Sequence, residues 1–227
     1  MKINVSYLEN EIELVSEYVV SIEIENKKYF YRLVHELYNI YQGIISSEVT
    51  FYDDSHQEIN YTNKIKVFIN FFDFQLDSKK YINDISKYIE NNITEENKIK
   101  LINEYRKITN IYKKALNEID LPLCINPDVD IENVTKLLKI KLETKNEILD
   151  NLLLLIDLEK VLNKRNILFF INLKQYLTSQ ELLELYKYSI YQQVPIILID
   201  SQSYGTSLKY EKKLIVDSEL DEFVLQS

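Results

Sequence analysis

The chain has 227 residues, and 27 Lys and Arg against 36 Asp and Glu leave a formal charge of −9. At 46% apolar residues it can bury a full core, while 2 Gly and 3 Pro exclude collagen-like and Gly/Pro-rich disordered chains. A single Cys excludes a disulfide framework and any multi-Cys zinc site. The longest apolar stretches, residues 152–156, 167–171 and 194–199, fall far short of the ~20 residues that cross a bilayer. No charged segment followed by an apolar one opens the sequence, so a soluble, cytoplasmic protein without a membrane partner is expected. The 18 Tyr accompany abundant Ile, Asn and Lys, and are weak evidence for a stacking surface.

In chain order, the first 25 residues read as strands. Ile3, Val5 and Tyr7 alternate, as do Ile12 and Leu14, and residues 18–24 suit a buried strand. Asn26 is placed to cap a helix whose apolar face is Phe30, Leu33, Val34, Leu37, Tyr38 and Tyr41, with Gly43 at its C-terminal end. Strand signals return over 49–52 and 65–72, separated by a polar turn around 53–57.

From about residue 75 the period becomes helical. Ser78 is the expected cap of a helix carrying Tyr81, Ile82, Ile85, Tyr88 and Ile89. Thr94 opens a longer one with Leu101, Tyr105, Ile108, Tyr112, Ala115 and Ile119 on one face. Pro122 and Pro127 bracket a break, after which a short helical stretch is expected near Asp130. Residues 75–144 thus read as a helical lobe inserted between sheet-forming segments 1–74 and 145–227. Thr144 to Glu147 has capping-box spacing before an apolar helix running to Leu162. Residues 166–173 read as a buried strand, Thr178 to Glu181 as a second capping box opening a helix, and 195–200 as another strand. That spacing predicts a right-handed βαβ crossover with parallel strands. Residues 214–216 and 223–225 are expected as edge strands.

Much chemistry is absent. Gly43 and Gly205 are the only glycines, and neither begins a phosphate-binding loop or a dinucleotide fingerprint. No Ser has the small neighbours of a nucleophile elbow. His35 and His56 lack partners at metal-ligand spacing, His35 lies beside an apolar stripe, and Cys124 sits in an apolar setting that predicts a buried thiol. No enzyme is read from the sequence. Charge is segregated. Residues 79–114 hold nine Lys and Arg against five acids, a balance of +4, whereas residues 115–132 hold five acids and no Lys or Arg. Within the acidic stretch, Asp128, Asp130 and Glu132 alternate, with Asp120 across the proline-bracketed loop. Hard cations such as calcium take oxygen ligands of this kind, and helix capping by Asp130 with Glu132 in the first turn accounts for the same residues.

The ordered set of segments resembles a known family. It comprises Met1-Lys2-Ile3-Asn4 with Leu8-Glu9, Ile22-Glu23-Ile24-Glu25-Asn26 before Phe30, Leu33 and Val34, and Phe51-Tyr52-Asp53. It continues through residues 74–80, 128–138 and 164–173, then Tyr176-Leu177-Thr178 and Glu181. Together these are similar to the CRISPR-associated type II-A adaptation ring proteins (the Csn-two family), in a short-chain form. The resemblance implies an α/β fold: a P-loop-ATPase-like (RecA-like) head without nucleotide motifs, plus the inserted α-helical leg lobe. It implies a homotetramer that binds structural calcium and no nucleotide, and that encircles double-stranded DNA from free ends, independently of sequence and without catalysis. Its implied partners in spacer acquisition are the adaptation integrase complex and the effector nuclease. The family's calcium-binding region falls on Asp120, Asp128, Asp130 and Glu132. The channel lysines are assigned to Lys64, Lys66, Lys79 and Lys80, followed by Lys27 and Lys28 at a helix start whose amides also suit phosphate. Two rival readings stand beside this one: a protein-interaction scaffold without DNA binding, and a cryptic hydrolase using Asp200 or Asn172 at strand ends.

Overall fold

The computed structural model describes residues 1–62, 64–72, 76, 79–119, 121–125, 135, 138–143, 145–164 and 166–226, with only the backbone of Lys79 and Lys80. The chain divides into two compact units, Met1–Phe74 with Lys145–Ser227 and Gln75–Thr144. In the first unit the strands are β1 (Lys2–Val5), β2 (Ile12–Glu13), β3 (Val19–Ile24), β4 (Val49–Tyr52), β5 (Glu58–Ile59), β6 (Ile65–Phe68), β7 (Ile167–Ile171), β8 (Ile196–Asp200), β9 (Glu211–Val216) and β10 (Glu222–Gln226). Helix α1 (Lys27–Tyr41) follows β3, while α4 (Ile148–Val161) and α5 (Ser179–Gln192) flank β7. The second unit contributes α2 (Lys79–Asn92) and α3 (Glu95–Leu116).

The strands form two sheets. One is four-stranded and antiparallel, in the order β2-β1-β4-β5. The other is six-stranded, in the order β10-β9-β3-β8-β7-β6, parallel throughout except for the antiparallel β9/β10 hairpin. This overturns the expected P-loop-ATPase-like (RecA-like) head: the fold is mixed α/β with two sheets, and no RecA-like P-loop topology is evident. Where a phosphate loop would leave β3, Glu25 and Asn26 alone connect it to α1. The Asn26 side chain accepts the Lys28 and Tyr29 N–H groups at that helix start.

The central strands are buried on both faces, and the alternation of their side chains divides them between two layers. Val20, Ile22, Ile24, Ile167, Phe169, Ile171, Ile197 and Ile199 form one core with Leu33, Leu37 and Ile40 of α1 and with Ile3, Val5, Val49 and Phe51 of the smaller sheet. On the opposite parity, Leu168, Phe170, Ile196 and Leu198 are buried, as are Leu152, Leu155 and Ile156 of α4 and Leu182 and Leu185 of α5. Each fully buried Leu, Ile or Phe contributes about 1.5–3 kcal/mol.

The βαβ crossover forms as expected: β7 and β8 are parallel, joined through a 3-10 turn over Leu173–Gln175 and through α5. The Thr178–Glu181 capping box is present in both directions. Thr94 caps α3, and Gly43 takes φ +88° while the Ile44 N–H bonds back to the Asn39 carbonyl, closing α1.

Other expectations change. Helix α4 is capped at Glu147 rather than at Thr144, which lies outside the described residues. Asn151 fixes the entry instead, its side chain accepting the Lys145 N–H and donating to the Lys145 carbonyl. Strand β6 stops at Phe68, and beyond it Asn70 diverts the Phe72 N–H into an Asx turn. Of the two expected edge strands, β9 is interior and β10 is an edge. No residue of α3 is buried: of its apolar stripe, Leu101 and Tyr105 are half-buried and Ile108, Tyr112 and Ala115 are exposed. Its surface carries Lys98–Glu95, Lys100–Glu96 and Lys107–Glu104 pairs one turn apart. Cys124 is exposed rather than buried. Ser78 and the helical stretch near Asp130 lie outside the described residues.

Candidate nucleic-acid interface

The candidate lysines fall in separate places. Lys27 and Lys28 are exposed in the first turn of α1, which holds no acidic residue. The Asn26 side chain already accepts the Lys28 and Tyr29 amides, and the helix dipole adds partial positive charge at this end. Acids stand close by in the chain: exposed Glu25 is bonded through its N–H to the Val216 carbonyl, and the Asn26 side chain reaches Ser218 in the Asp217–Asp221 turn.

Lys64 is exposed just before β6, its ammonium 5.3 Å from the centre of the Tyr61 ring, which stacks on Phe51. Because β3, β8, β7 and β6 are parallel, Lys64 at the start of β6 lies at the opposite end of the sheet from Lys27 and Lys28 beyond the end of β3. Lys66 is engaged within the fold: its ammonium pairs with the buried Glu159 carboxylate of α4, which also accepts from Asn166 at 2.7 Å. Lys79 and Lys80 begin α2 in the other unit. Asp120, Asp128, Asp130 and Glu132 all lie outside the described residues. Among the described residues, no group of three or more His, Cys, Asp or Glu is arranged to hold a metal ion.

Sequence reasoning missed a second constellation, buried on the α5 side of the six-stranded sheet. Lys174 donates to Glu23 at 2.7 Å and to Glu211 at 2.6 Å, and Lys213 pairs with Glu23 at 2.9 Å. The Tyr186 hydroxyl donates to Glu211 at 3.1 Å. All five side chains are buried. Their register explains the meeting: Ser21 pairs with Lys213 and Glu23 with Asp200 in the two ladders flanking β3. Burial opposes charge on Lys174, but Glu211 and Glu23 outweigh it and raise its pKa. Burial likewise works against the Glu23 anion, but hydrogen bonds from Lys174 and Lys213 prevail and lower its pKa. Burial pushes the Tyr186 hydroxyl well up, with Glu211 adding to it. The visible signal was charge inside apolar strands, Glu23 within β3 and Lys213 within β9. Such residues are almost never fully buried unless paired.

Asp200 sits at the border of this cluster. Its Oδ1 accepts the Lys174 N–H at 3.3 Å, its Oδ2 has no hydrogen-bond partner among the described residues, and burial pushes its pKa up to about 7. The carboxyl group is fully enclosed, which deprives the hydrolase reading of a reachable acid. Asn172, at φ +57°, uses its side-chain oxygen to accept the Ser201 N–H.

Comparison with known proteins decides the family. The family model described as CRISPR-associated protein (Cas_Csn2) matches residues 41–220. The chain belongs to the Csn2 family. It is 24% identical over 205 residues to the CRISPR-associated protein Csn2 of Streptococcus agalactiae, covering 88% of this chain and 89% of that one. Its fold is similar to the crystal structure of Stu0660 of Streptococcus thermophilus, with a TM-score of 0.64 at 14% identity, covering 100% of this chain and 77% of the other. Within the Csn2 match lie Lys64, Lys66, Lys79, Lys80 and all four acids, while Lys27 and Lys28 precede it. Among the described residues, no helix of this Csn2-family chain is long and apolar enough to cross a membrane.

Proposed function

We propose that this chain is a non-catalytic ring protein of CRISPR spacer acquisition, a calcium-stabilised homotetramer that threads double-stranded DNA from its free ends. The observation that carries the reading is the Csn2 family match across residues 41–220. Exposed Lys27, Lys28 and Lys64 are available to phosphates, and the −9 net charge requires that lysines be gathered onto an inner surface if a duplex is to approach. Lys79 and Lys80 at the start of α2 complete the set. Lys66, committed to Glu159, contributes less. Asp120, Asp128, Asp130 and Glu132 would hold calcium through carboxylate oxygens, neutralising an acidic segment and bracing the ring. The adaptation integrase complex and the effector nuclease are the partners of this reading.

A second reading, an interaction scaffold of the adaptation complex that does not bind DNA, is favoured by one observation: acids accompany Lys27 and Lys28 at their end of the sheet. A gel shift separates the two, using one duplex in linear and covalently closed circular forms, with calcium or with chelator. Threading retards the linear form alone and requires calcium. Equal retardation of both forms sinks the ring, and retardation of neither, with folded protein, supports the scaffold.

A further inference from the structure

Strand β10 is an edge of the six-stranded sheet, hydrogen-bonded on one side to β9. Natural edges are usually guarded by charge, proline or a bulge. This one exposes Phe223 at 51%, Val224 at 47% and Leu225 at 39%. The one acid in the strand is already engaged, since Glu222 accepts the Glu9 N–H at 2.7 Å, the Asn10 N–H at 2.9 Å and the Asn10 amide at 2.8 Å. It anchors the start of the strand to the β1–β2 connection and does not screen the apolar residues that follow.

The hairpin also sets which backbone groups are free. The Asp217 N–H donates to the Asp221 carbonyl, so 217 and 221 form a hydrogen-bonded pair. Alternation along an antiparallel ladder then turns the N–H and C=O groups of Phe223 and Leu225 toward β9, and those of Glu222, Val224 and Gln226 away from the sheet.

We propose that β10 is a docking edge for a second copy of this chain, the two strands pairing antiparallel about a two-fold axis through Val224 so that the two sheets become continuous. The sequence of the strand is self-complementary in that register. Val224 faces the partner's Val224, Phe223 faces the partner's Leu225, and Glu222 faces the partner's Gln226, with no like charges opposed. All three outward-facing residues on each strand find partners. Centring the axis on Glu222 instead opposes two carboxylates. The interface deepens the homotetramer reading, of which it would be one two-fold contact, and it is measured without DNA.

The test uses the full chain carrying Cys124→Ser, which removes the exposed native thiol. With a short bismaleimide, Val224→Cys is expected to form covalent dimer at least ~10-fold faster than Ile45→Cys, a more exposed position away from the axis. In sedimentation, Val224→Lys sets two ammonium groups against each other and is expected to weaken self-association ~10-fold or more. Compared at a protein concentration low enough for both to be monomeric, its urea midpoint should match that of the parent, because the Val224 side chain is about half exposed within one copy. Crosslinking no faster than at Ile45, or unchanged sedimentation of Val224→Lys, overturns the inference. A tetramer that Val224→Lys leaves intact overturns this interface while the ring reading stands. A parent protein that sediments as a monomer with and without calcium overturns both.

Discussion

A carboxyl group held with one oxygen against a backbone amide and the other unpartnered is more stable neutral than charged, and Asp200 is such a group. Its pKa rises from 3.8 to about 7 on folding, so the folded state binds a proton that the unfolded chain has released. Stability from this residue is therefore present below about pH 4 and lost as pH climbs to about 7. Glu23 works in the opposite sense: its lowered pKa gives stability above the ordinary carboxylate range, lost in acid. Asp200→Asn isolates the first effect. Relative to wild type it should gain at least ~1 kcal/mol more in urea unfolding at pH 8 than at pH 5. A difference that does not change with pH would remove Asp200 as its source. At this scale the sequence displayed the charges but not their partners. Glu23 and Lys174 are 151 positions apart, and only the β9-β3-β8 strand order brings them together.

The elements most legible in the sequence are those whose signals are local. The box at Thr178 and Glu181, the apolar run of β7 and the return at β8 stand in the structure where their patterns placed them, because hydrogen bonds three residues apart and unbroken apolar runs are written in adjacent positions. Thr178→Ala should cost about 1 kcal/mol, read as a lower urea midpoint with no change in slope. What escaped detection depends on neighbours. Strand β9 reads like an edge, yet β10 covers one side of it and β3 the other. The stripe on α3 reads like a core face, yet Ile108 and Tyr112 are exposed. Cys124 has apolar neighbours in sequence and none of the burial they suggested. The expected P-loop-ATPase-like head without nucleotide motifs failed for the same reason. A missing glycine loop was visible in the sequence, whereas a second antiparallel sheet and a mixed main sheet were not.

For the molecule as a whole, charge is the governing quantity. A −9 chain attracts a polyanion only through local surfaces, so binding should be dominated by phosphates and weaken steeply with salt. Each lysine on a phosphate adds about 0.9 to the slope of log affinity against log salt. Replacing Lys27 and Lys28 together with Gln should therefore flatten that slope by up to ~2. An unchanged slope, measured by titration of linear duplex at several salt concentrations, would take these residues out of the interface. Their placement was not legible because sequence spacing carries no strand direction. The parallel ladders put Lys27 and Lys28 at one end of the sheet and Lys64 at the other.

The segment between β8 and β9 shows what the buried charges do for the surface above them. It has no regular structure, and residues 201–206 are exposed, yet the Tyr204 N–H ends on Glu23 and the Leu208 N–H on Glu211, while Lys213 holds the carbonyls of Gly205 and Thr206. Amide protons at Tyr204 and Leu208 are therefore expected, in hydrogen-exchange measurements, to exchange on the timescale of core opening rather than of loop fraying. An apparently loose connection would then be timed by charges enclosed beneath it.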